Sequence, residues 1–335
     1  MEIDLPFIWA GIIAFAVLAY VVLDGFDLGV GIVFPFFPNR RDRDVMTNSI
    51  APVWDGNETW LVLGGGGLMA VFPLAYAVIL PALYMPIILM LVSLVFRGVA
   101  FEFRWRTHHD SHFWDFGFWL GSSTAALMQG ISLGALVQGI AVEGRQYAGG
   151  WWDWLTPFSI LTGVAVLIGY ALLGATWLNL KTNGHIQTRS AALARPLSLI
   201  MLALIGIVSL WTPFLNPMYF ERWFGWPTAF FSSFVPLLLA ACAAALWHGL
   251  ACDRHLQPFL AALGLFVLSF IGLGISFYPY IIPGVLRIED AAAPESSLKF
   301  LLVGASVLVP IILIYTGYAY WVFRGKVDPE ERYHE

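Results

Sequence analysis

Residues Phe7 to Phe36 read FIWAGIIAFAVLAYVVLDGFDLGVGIVFPF. Apart from Asp24 and Asp27 the run carries no charge. As a helix rising 1.5 Å per residue it is long enough to cross the ~30 Å hydrocarbon core of a bilayer. Working outward, comparable apolar runs follow at roughly 48–72, 76–103, 115–142, 156–180, 195–215, 228–250, 257–279 and 298–323. Across all 335 residues, 59% are hydrophobic and 12% charged. A soluble domain carries roughly 25% charged residues, so the solvent for most of this chain is lipid. In lipid every backbone polar group is satisfied internally, which leaves helices or a closed barrel. Alternating ten-residue strands are absent, excluding the barrel. The expected fold class is an all-α integral membrane protein of about nine transmembrane helices.

The net charge of −5 and the lack of a basic stripe argue against a nucleic-acid partner. Cys242 and Cys252 match no haem-attachment or zinc spacing and read as small packing residues. Met1 to Pro6 carries Glu2 and Asp4 but no Lys or Arg, so no cleavable signal peptide is expected.

Nine helices make a testable pattern, because cytoplasmic loops collect Lys and Arg. With the N-terminus outside, the inner segments hold Arg40, Arg41, Arg43, Arg104, Arg106, Lys181, Arg189, Arg195, Arg254, Arg324, Lys326 and Arg332. The outer ones hold Arg145, Arg222, Arg287 and Lys299, with Arg97 inside a helix. The outer loops instead carry aromatics such as Trp151, Trp152 and Trp154, which suit an interfacial belt. A multi-pass protein with its C-terminus in the cytoplasm is expected. Gly25 and Gly29, four apart, and the Gly64–Gly67 run predict close helix packing.

Charged side chains within the membrane cost a few kcal/mol or more each and default to functional candidates. They fall in the first three helices: Asp24 and Asp27, then Asp55 and Glu58 at the same spacing, then Arg97 and Glu102. Three-residue spacing puts each acidic pair on one helix face. Asp24 and Asp27 should lie ~25–30 Å from the outer end of the first helix, and Asp55 ~10 Å above the inner surface. All six charges are therefore expected to converge on the cytoplasmic half. One cation cannot neutralise five carboxylates, so part of the cluster is expected to hold protons or exchange them with use. The alternative is that these charges only bind helices together and cap the second helix near Asn57. As a relay, Asp55 stands out, flanked by Trp54 and by Gly56–Asn57.

Haem iron usually takes histidine. His108, His109, His112, His185, His255 and His334 fall in inner loops or tails, and His248 alone lies in a helix. No two histidines face each other at matching depth, so no haem or metal is expected on this chain.

The segment Leu23–Asp24–Gly25–Phe26–Asp27–Leu28–Gly29–Val30–Gly31 resembles the first-helix motif of subunit II of cytochrome bd-type ubiquinol oxidases. So do Asn48–Ser49–Ile50–Ala51–Pro52–Val53–Trp54–Asp55–Gly56–Asn57–Glu58–Thr59–Trp60–Leu61, the Gly64–Gly67 run and Phe72–Pro73. Phe96–Arg97–Gly98–Val99–Ala100–Phe101–Glu102–Phe103–Arg104 is similar to the family's third-helix end, and Val309–Thr316 with Tyr320–Trp321 to its last helix. The resemblance runs through the whole chain in order.

It implies two four-helix bundles (1–143, with the acidic cluster, and 155–280) and a peripheral helix with a cytoplasmic tail (298–335). It implies a partner, subunit I, holding two b-type haems, one d-type haem and the quinol-binding loop, while subunit II holds no haem. The complex would sit in the bacterial cytoplasmic membrane, oxidise quinol and reduce dioxygen to water with protons from the cytoplasm. Small single-helix accessory subunits and a structural quinone are further implied possibilities. By resemblance, Asp55 corresponds to a proposed proton relay, Glu102 to a carboxylate that is Asp in some relatives, and Trp60 to a residue associated with oxygen access. A secondary transporter with a buried carboxylate ion site, and a purely structural scaffold, are the competing readings. A self-sufficient haem oxidase is disfavoured by the missing histidine pair.

Overall fold

The computed structural model of the chain describes residues 4–106 and 111–328. His108, His109, His334 and Arg332, assigned above to inner segments, lie outside the described residues. The helices are α1 (Leu5–Val33), α2 (Arg40–Asn48), α3 (Trp54–Val71), α4 (Pro73–Ala82), α5 (Tyr84–Arg106), α6 (Ser111–Gln138), α7 (Pro157–Lys181) and α8 (Gly184–Trp211). They continue as α9 (Pro217–Phe224), α10 (Thr228–Ser232), α11 (Phe234–Ala251), α12 (Leu256–Phe277), α13 (Ile288–Ala291) and α14 (Glu295–Val322). Two short antiparallel hairpins, Val142–Glu143 with Gln146–Tyr147 and Tyr280–Ile282 with Leu286–Arg287, are the strands among the described residues. The fold is that of an all-α integral membrane protein.

Among the described residues, eight spans are long and apolar enough to cross a membrane: α1, α5, α6, α7, α8, α10–α11 taken together, α12 and α14. The ninth apolar run of the sequence becomes α3, an 18-residue helix whose first two turns carry Asp55, Asn57, Glu58 and Thr59. Those polar residues lower its apolarity, yet it packs along α1.

Three expected boundaries shift, each for a local reason. The run at 48–72 does not start a helix at 48. Residues 49–53 turn first, so Asp55 lies in the opening turn of α3 rather than about two turns inside. The run at 76–103 breaks at Leu83 into α4 and α5, because Pro86, with no N–H to donate, suits the first turn of a new helix. Finally, α8 begins at Gly184, so Arg189 and Arg195 ride on a helix and only Thr182 and Asn183 connect it to α7.

The helix starts are written locally. Asp4 caps α1 by accepting from the Phe7 backbone N–H at 3.1 Å. Thr156 and Ser159 form a reciprocal capping box ahead of α7, with Pro157 in its first turn. At the centre, α1 lies against α3, α6 and α7. The α1–α7 crossing is backbone on backbone. A Cβ added at Gly29 would come within 1.9 Å of the Tyr170 carbonyl oxygen, and one at Gly174 within 2.1 Å of the Gly29 carbonyl carbon. Glycine lets the helices approach that closely. The Gly64–Gly67 run does not behave the same way, since Gly65 and Gly66 face open space. They sit on the exposed side of α3, where no helix among the described residues covers them.

Phe26 of α1 ties the two halves of the chain together. It stacks on Trp177 of α7 at 4.2 Å between centroids and meets Phe259 of α12 and Tyr320 of α14 edge-on. α14 is otherwise largely exposed and is held near its ends. Trp9 Nε1 donates to the Leu298 carbonyl at 3.1 Å, and Tyr320 reaches α3. Beyond α14 the tail lies on the α7–α8 turn: Lys181 Nζ donates to the Phe323 carbonyl and, at 2.6 Å, to that of Gly325. Lys326 Nζ donates to Thr182 O and Asn183 Oδ1. The C-terminal tail and the α7–α8 turn therefore share one end of the molecule.

Candidate functional site

The buried charges of the first helices form one site around Arg97 of α5. Its guanidinium is 1% exposed. Nη1 donates to Asp24 Oδ1 of α1 at 3.1 Å and to Glu58 Oε1 of α3 at 2.7 Å. The indole of Trp54 lies 5.8 Å from Cζ and completes the cage. One turn along α1, Asp27 accepts from Asn57 Nδ2 at 2.6 Å, and Asn57 Oδ1 accepts from the Tyr320 hydroxyl of α14 at 3.0 Å. Asn57 thus bridges three helices and does not cap α3, whose N-terminus at Val53 has no side-chain cap.

A second arm leaves Asp24 in the other direction. The Tyr20 hydroxyl sits against the Asp24 carboxylate. It accepts from Gln129 Nε2 of α6 at 2.7 Å, and Gln129 Oε1 in turn accepts from the Tyr170 hydroxyl of α7 at 2.8 Å. The polar network therefore threads α1, α3, α5, α6, α7 and α14 through apolar surroundings.

The bonding is incomplete. Asp24 Oδ2, Asp27 Oδ1, Arg97 Nε, Arg97 Nη2 and Trp60 Nε1 are buried without a hydrogen-bond partner among the described residues. Buried polar atoms are rarely left so, and ordered water is the usual remedy. Asp24 and Glu58 share the Arg97 guanidinium and Asp27 lies one turn away on Asn57, so three carboxylates stand around one cation.

Of the residues singled out in the sequence, Asp24, Asp27, Glu58 and Arg97 come together. Asp55 does not join their hydrogen bonds. It is exposed on α3, one turn before Glu58 and near enough to act on it electrostatically. Of the six charges expected to converge on the cytoplasmic half, Asp55 is the one that the opening turn of α3 leaves exposed. Glu102 is half-buried further along α5. Trp60 is 1% exposed and packs edge-on against Phe15 at 5.7 Å in a small cluster with Ala16, Ala19 and Tyr20.

A second ionic centre was not foreseen. Arg104, 2% exposed, donates from Nε to Asp115 Oδ1 at 2.6 Å and lies 2.7 Å from Asp44 Oδ1. Arg43 Nη1 reaches Asp115 Oδ2 at 2.7 Å, and both guanidinium groups flank the Phe34 ring. The sequence places Arg43 and Arg104 in inner segments. Asp115, at the very start of an apolar run, was the available signal. Gln129, an amide within an apolar run, was the signal for the Tyr20–Tyr170 arm.

Comparison with known proteins gives a single picture. The sequence profile of cytochrome bd terminal oxidase subunit II matches residues 5–323. Cytochrome bd-I ubiquinol oxidase subunit 2 of Escherichia coli K12 is 30% identical over 366 residues, covering 98% of this chain and 96% of that protein. Cytochrome bd ubiquinol oxidase subunit 2 of Bacillus subtilis 168 is 29% identical over 339 residues, with 97% of each covered. Among solved structures, a chain of the bd oxidase from Geobacillus thermodenitrificans superposes with a TM-score of 0.77 at 18% identity, over 96% of this chain and 99% of that one. At that identity the match speaks for the fold.

Proposed function

The chain belongs to the cytochrome bd terminal oxidase subunit II family, and from that premise we propose that it is the haem-free subunit that carries part of the cytoplasmic proton route. It is a multi-pass membrane subunit of an oxygen-reducing quinol oxidase complex whose other principal chain is subunit I. In this reading subunit I holds the two b-type haems and the d-type haem and receives quinol, while this chain supports it and delivers protons. The C-terminus faces the cytoplasm, and residues 1–143, 155–280 and 298–335 act as two four-helix bundles and a peripheral helix.

The observation that carries the proposal is the position of Asp55. It is exposed on the side of α3 that also presents Thr59, Val62, Gly66 and Met69. A carboxylate on such a helix is costly against lipid, so a polar surface of a partner is the fitting neighbour. On its inner side stand Glu58, Arg97 and Asp24. Asp55 would then receive protons at the subunit boundary, with the Arg97 site holding charge behind it. Trp60, buried beside the same helices, fits the oxygen-access role only by family resemblance.

The test is Asp55→Asn in the complete oxidase. The amide can still hydrogen-bond but cannot carry a proton. The expected outcome is an assembled complex with its haem spectrum intact and quinol-driven oxygen uptake slowed about a hundred-fold or more, within the ~10²–10⁴ range typical of a lost acid–base group. Asp55→Glu should keep most of the activity. Unchanged turnover in a fully assembled Asp55→Asn complex rules the relay out and leaves the scaffold reading.

A further inference from the structure

Far from the Arg97 site, α11 and α12 form a hairpin that leaves an open trough along its outer side. Its volume is about 690 Å³, within the ~300–1,000 Å³ usual for ligand sites. Leu238, Ala241, Cys242, Leu260 and Leu268 line its length, and Arg254, His255 and Gln257 stand at one end. The trough exists because α11 presents small side chains there: Ala241, Cys242 and Ala245 leave the space that larger residues would fill. Both helices are apolar enough to span the membrane, so the trough lies along a membrane-spanning hairpin.

The polar end is built for an anion. Arg254 is exposed, and its guanidinium makes only a long 3.5 Å approach to Gln257 Oε1 among the described residues. His255 is half-buried, and its Nδ1 is buried without a partner. α12 starts at the next residue with no side-chain cap, so the positive end of a 22-residue helix points at the same place. Gln257 is fixed by donating from Nε2 to the Ala245 carbonyl at 2.8 Å, which holds the turn against α11. Arg195 of α8 adds a further cation at this end, donating to the Leu250 carbonyl at 3.2 Å.

We propose that this trough binds one anionic phospholipid of the surrounding leaflet. Its phosphate sits between Arg254, His255 and the first turn of α12, and one acyl chain lies between α11 and α12. A phospholipid matches both halves of the site: the apolar length that no helix among the described residues covers, and the cationic turn at its end. A free anion would use only the turn, and a purely apolar molecule only the trough.

The test uses the complete detergent-solubilised oxidase, stripped of lipid and then exposed to phosphatidylglycerol or phosphatidylcholine, with retained lipid counted by native mass spectrometry. The wild type should retain phosphatidylglycerol in preference to phosphatidylcholine. Removing the cation with Arg254→Gln should weaken that retention about five-fold, the effect of one basic residue near an anionic lipid surface. Arg254→Lys should restore most of it. Ala241→Phe should block the trough and lower retention of both lipids, while the complex keeps its thermal midpoint in phosphatidylcholine. Three results overturn the proposal: equal retention of the two lipids by the wild type, unchanged retention in both Arg254→Gln and Ala241→Phe, or complete displacement of phosphatidylglycerol by inorganic phosphate.

Discussion

Two arginines on the same helix are buried almost equally, Arg97 at 1% and Arg104 at 2% exposure, but in opposite company. Around Arg104 the charges balance: Arg43 and Arg104 meet Asp44 and Asp115, and both oxygens of Asp115 are used. Around Arg97 they do not. Asp24 and Glu58 share one guanidinium, Asp27 has only the Asn57 amide, and an oxygen of each aspartate is left over. The charge-assisted bonds of the balanced set tie α2, α5 and α6 to one another. An unbalanced set in the same low-dielectric surroundings is expensive to keep unless protons, water or a neighbouring subunit complete it. The difference separates a set whose charges pair off from one with more carboxylates than cations.

The largest effect should come from removing the shared cation. Arg97→Leu leaves buried carboxylates without their counter-charge, and breaking a buried pair costs ~3–5 kcal/mol. Assembled oxidase should fall sharply, read as haem content per membrane protein and as a lowered thermal midpoint. Normal assembly with a normal midpoint would mean that Arg97 does not hold α1, α3 and α5 together.

The balanced centre gives the contrasting expectation. Asp115→Asn keeps the shape but weakens charge-assisted hydrogen bonds from two arginines, a loss of ~2–3 kcal/mol. The thermal midpoint of the complex should drop while oxygen uptake per assembled complex stays at the wild-type level. A complex of normal stability but low turnover would invert the assignment and put Asp115 on the proton route. Asp24→Asn sharpens the same contrast from the other side, since it should reduce turnover per assembled complex more than Asp115→Asn does.

Much of this was legible in the sequence. The apolar runs gave the membrane class, and the spacing of Asp24, Asp27, Glu58 and Arg97 anticipated a shared site because helical faces follow directly from spacing. Gly25 and Gly29 announced the α1–α7 contact. What failed did so for local or long-range reasons. The turn at 49–53 and Pro86 are small features inside apolar runs, and they moved Asp55 and split a helix. The partners of Arg104, Asp44 and Asp115, come from different helices, and Tyr320 is 263 residues from Asn57. Pairings at that separation depend on how helices are arranged, which spacing along one helix does not encode. A loop arginine and a buried one also look alike in sequence, so placing Arg43 and Arg104 in inner segments does not reveal their ion pairs.

The smallest expected effect tests how far the unbalanced site reaches. Tyr320 is where α14, elsewhere largely exposed, enters the polar network, through its 3.0 Å hydrogen bond to Asn57 Oδ1. Its ring also sits edge-on to Phe26 and Trp177, so Tyr320→Phe keeps the aromatic packing and deletes only the hydroxyl. The direct loss is one hydrogen bond, ~1 kcal/mol, and the complex should assemble with its midpoint lowered slightly. The consequence falls on Asn57. Its amide orients Asp27 by donating from Nδ2, and without Tyr320 its carbonyl oxygen loses its anchor, leaving the amide held only through Nδ2 by Asp27 and the Leu23 carbonyl. If Asp27 belongs to the working site, turnover should fall modestly, by less than in Asp24→Asn, and Asn57→Leu should reproduce and exceed that loss. If α14 is only a peripheral brace, Tyr320→Phe lowers the midpoint and leaves oxygen uptake unchanged. Measuring both quantities on the same preparation therefore decides whether the network ends at Asp27 or extends to the last helix.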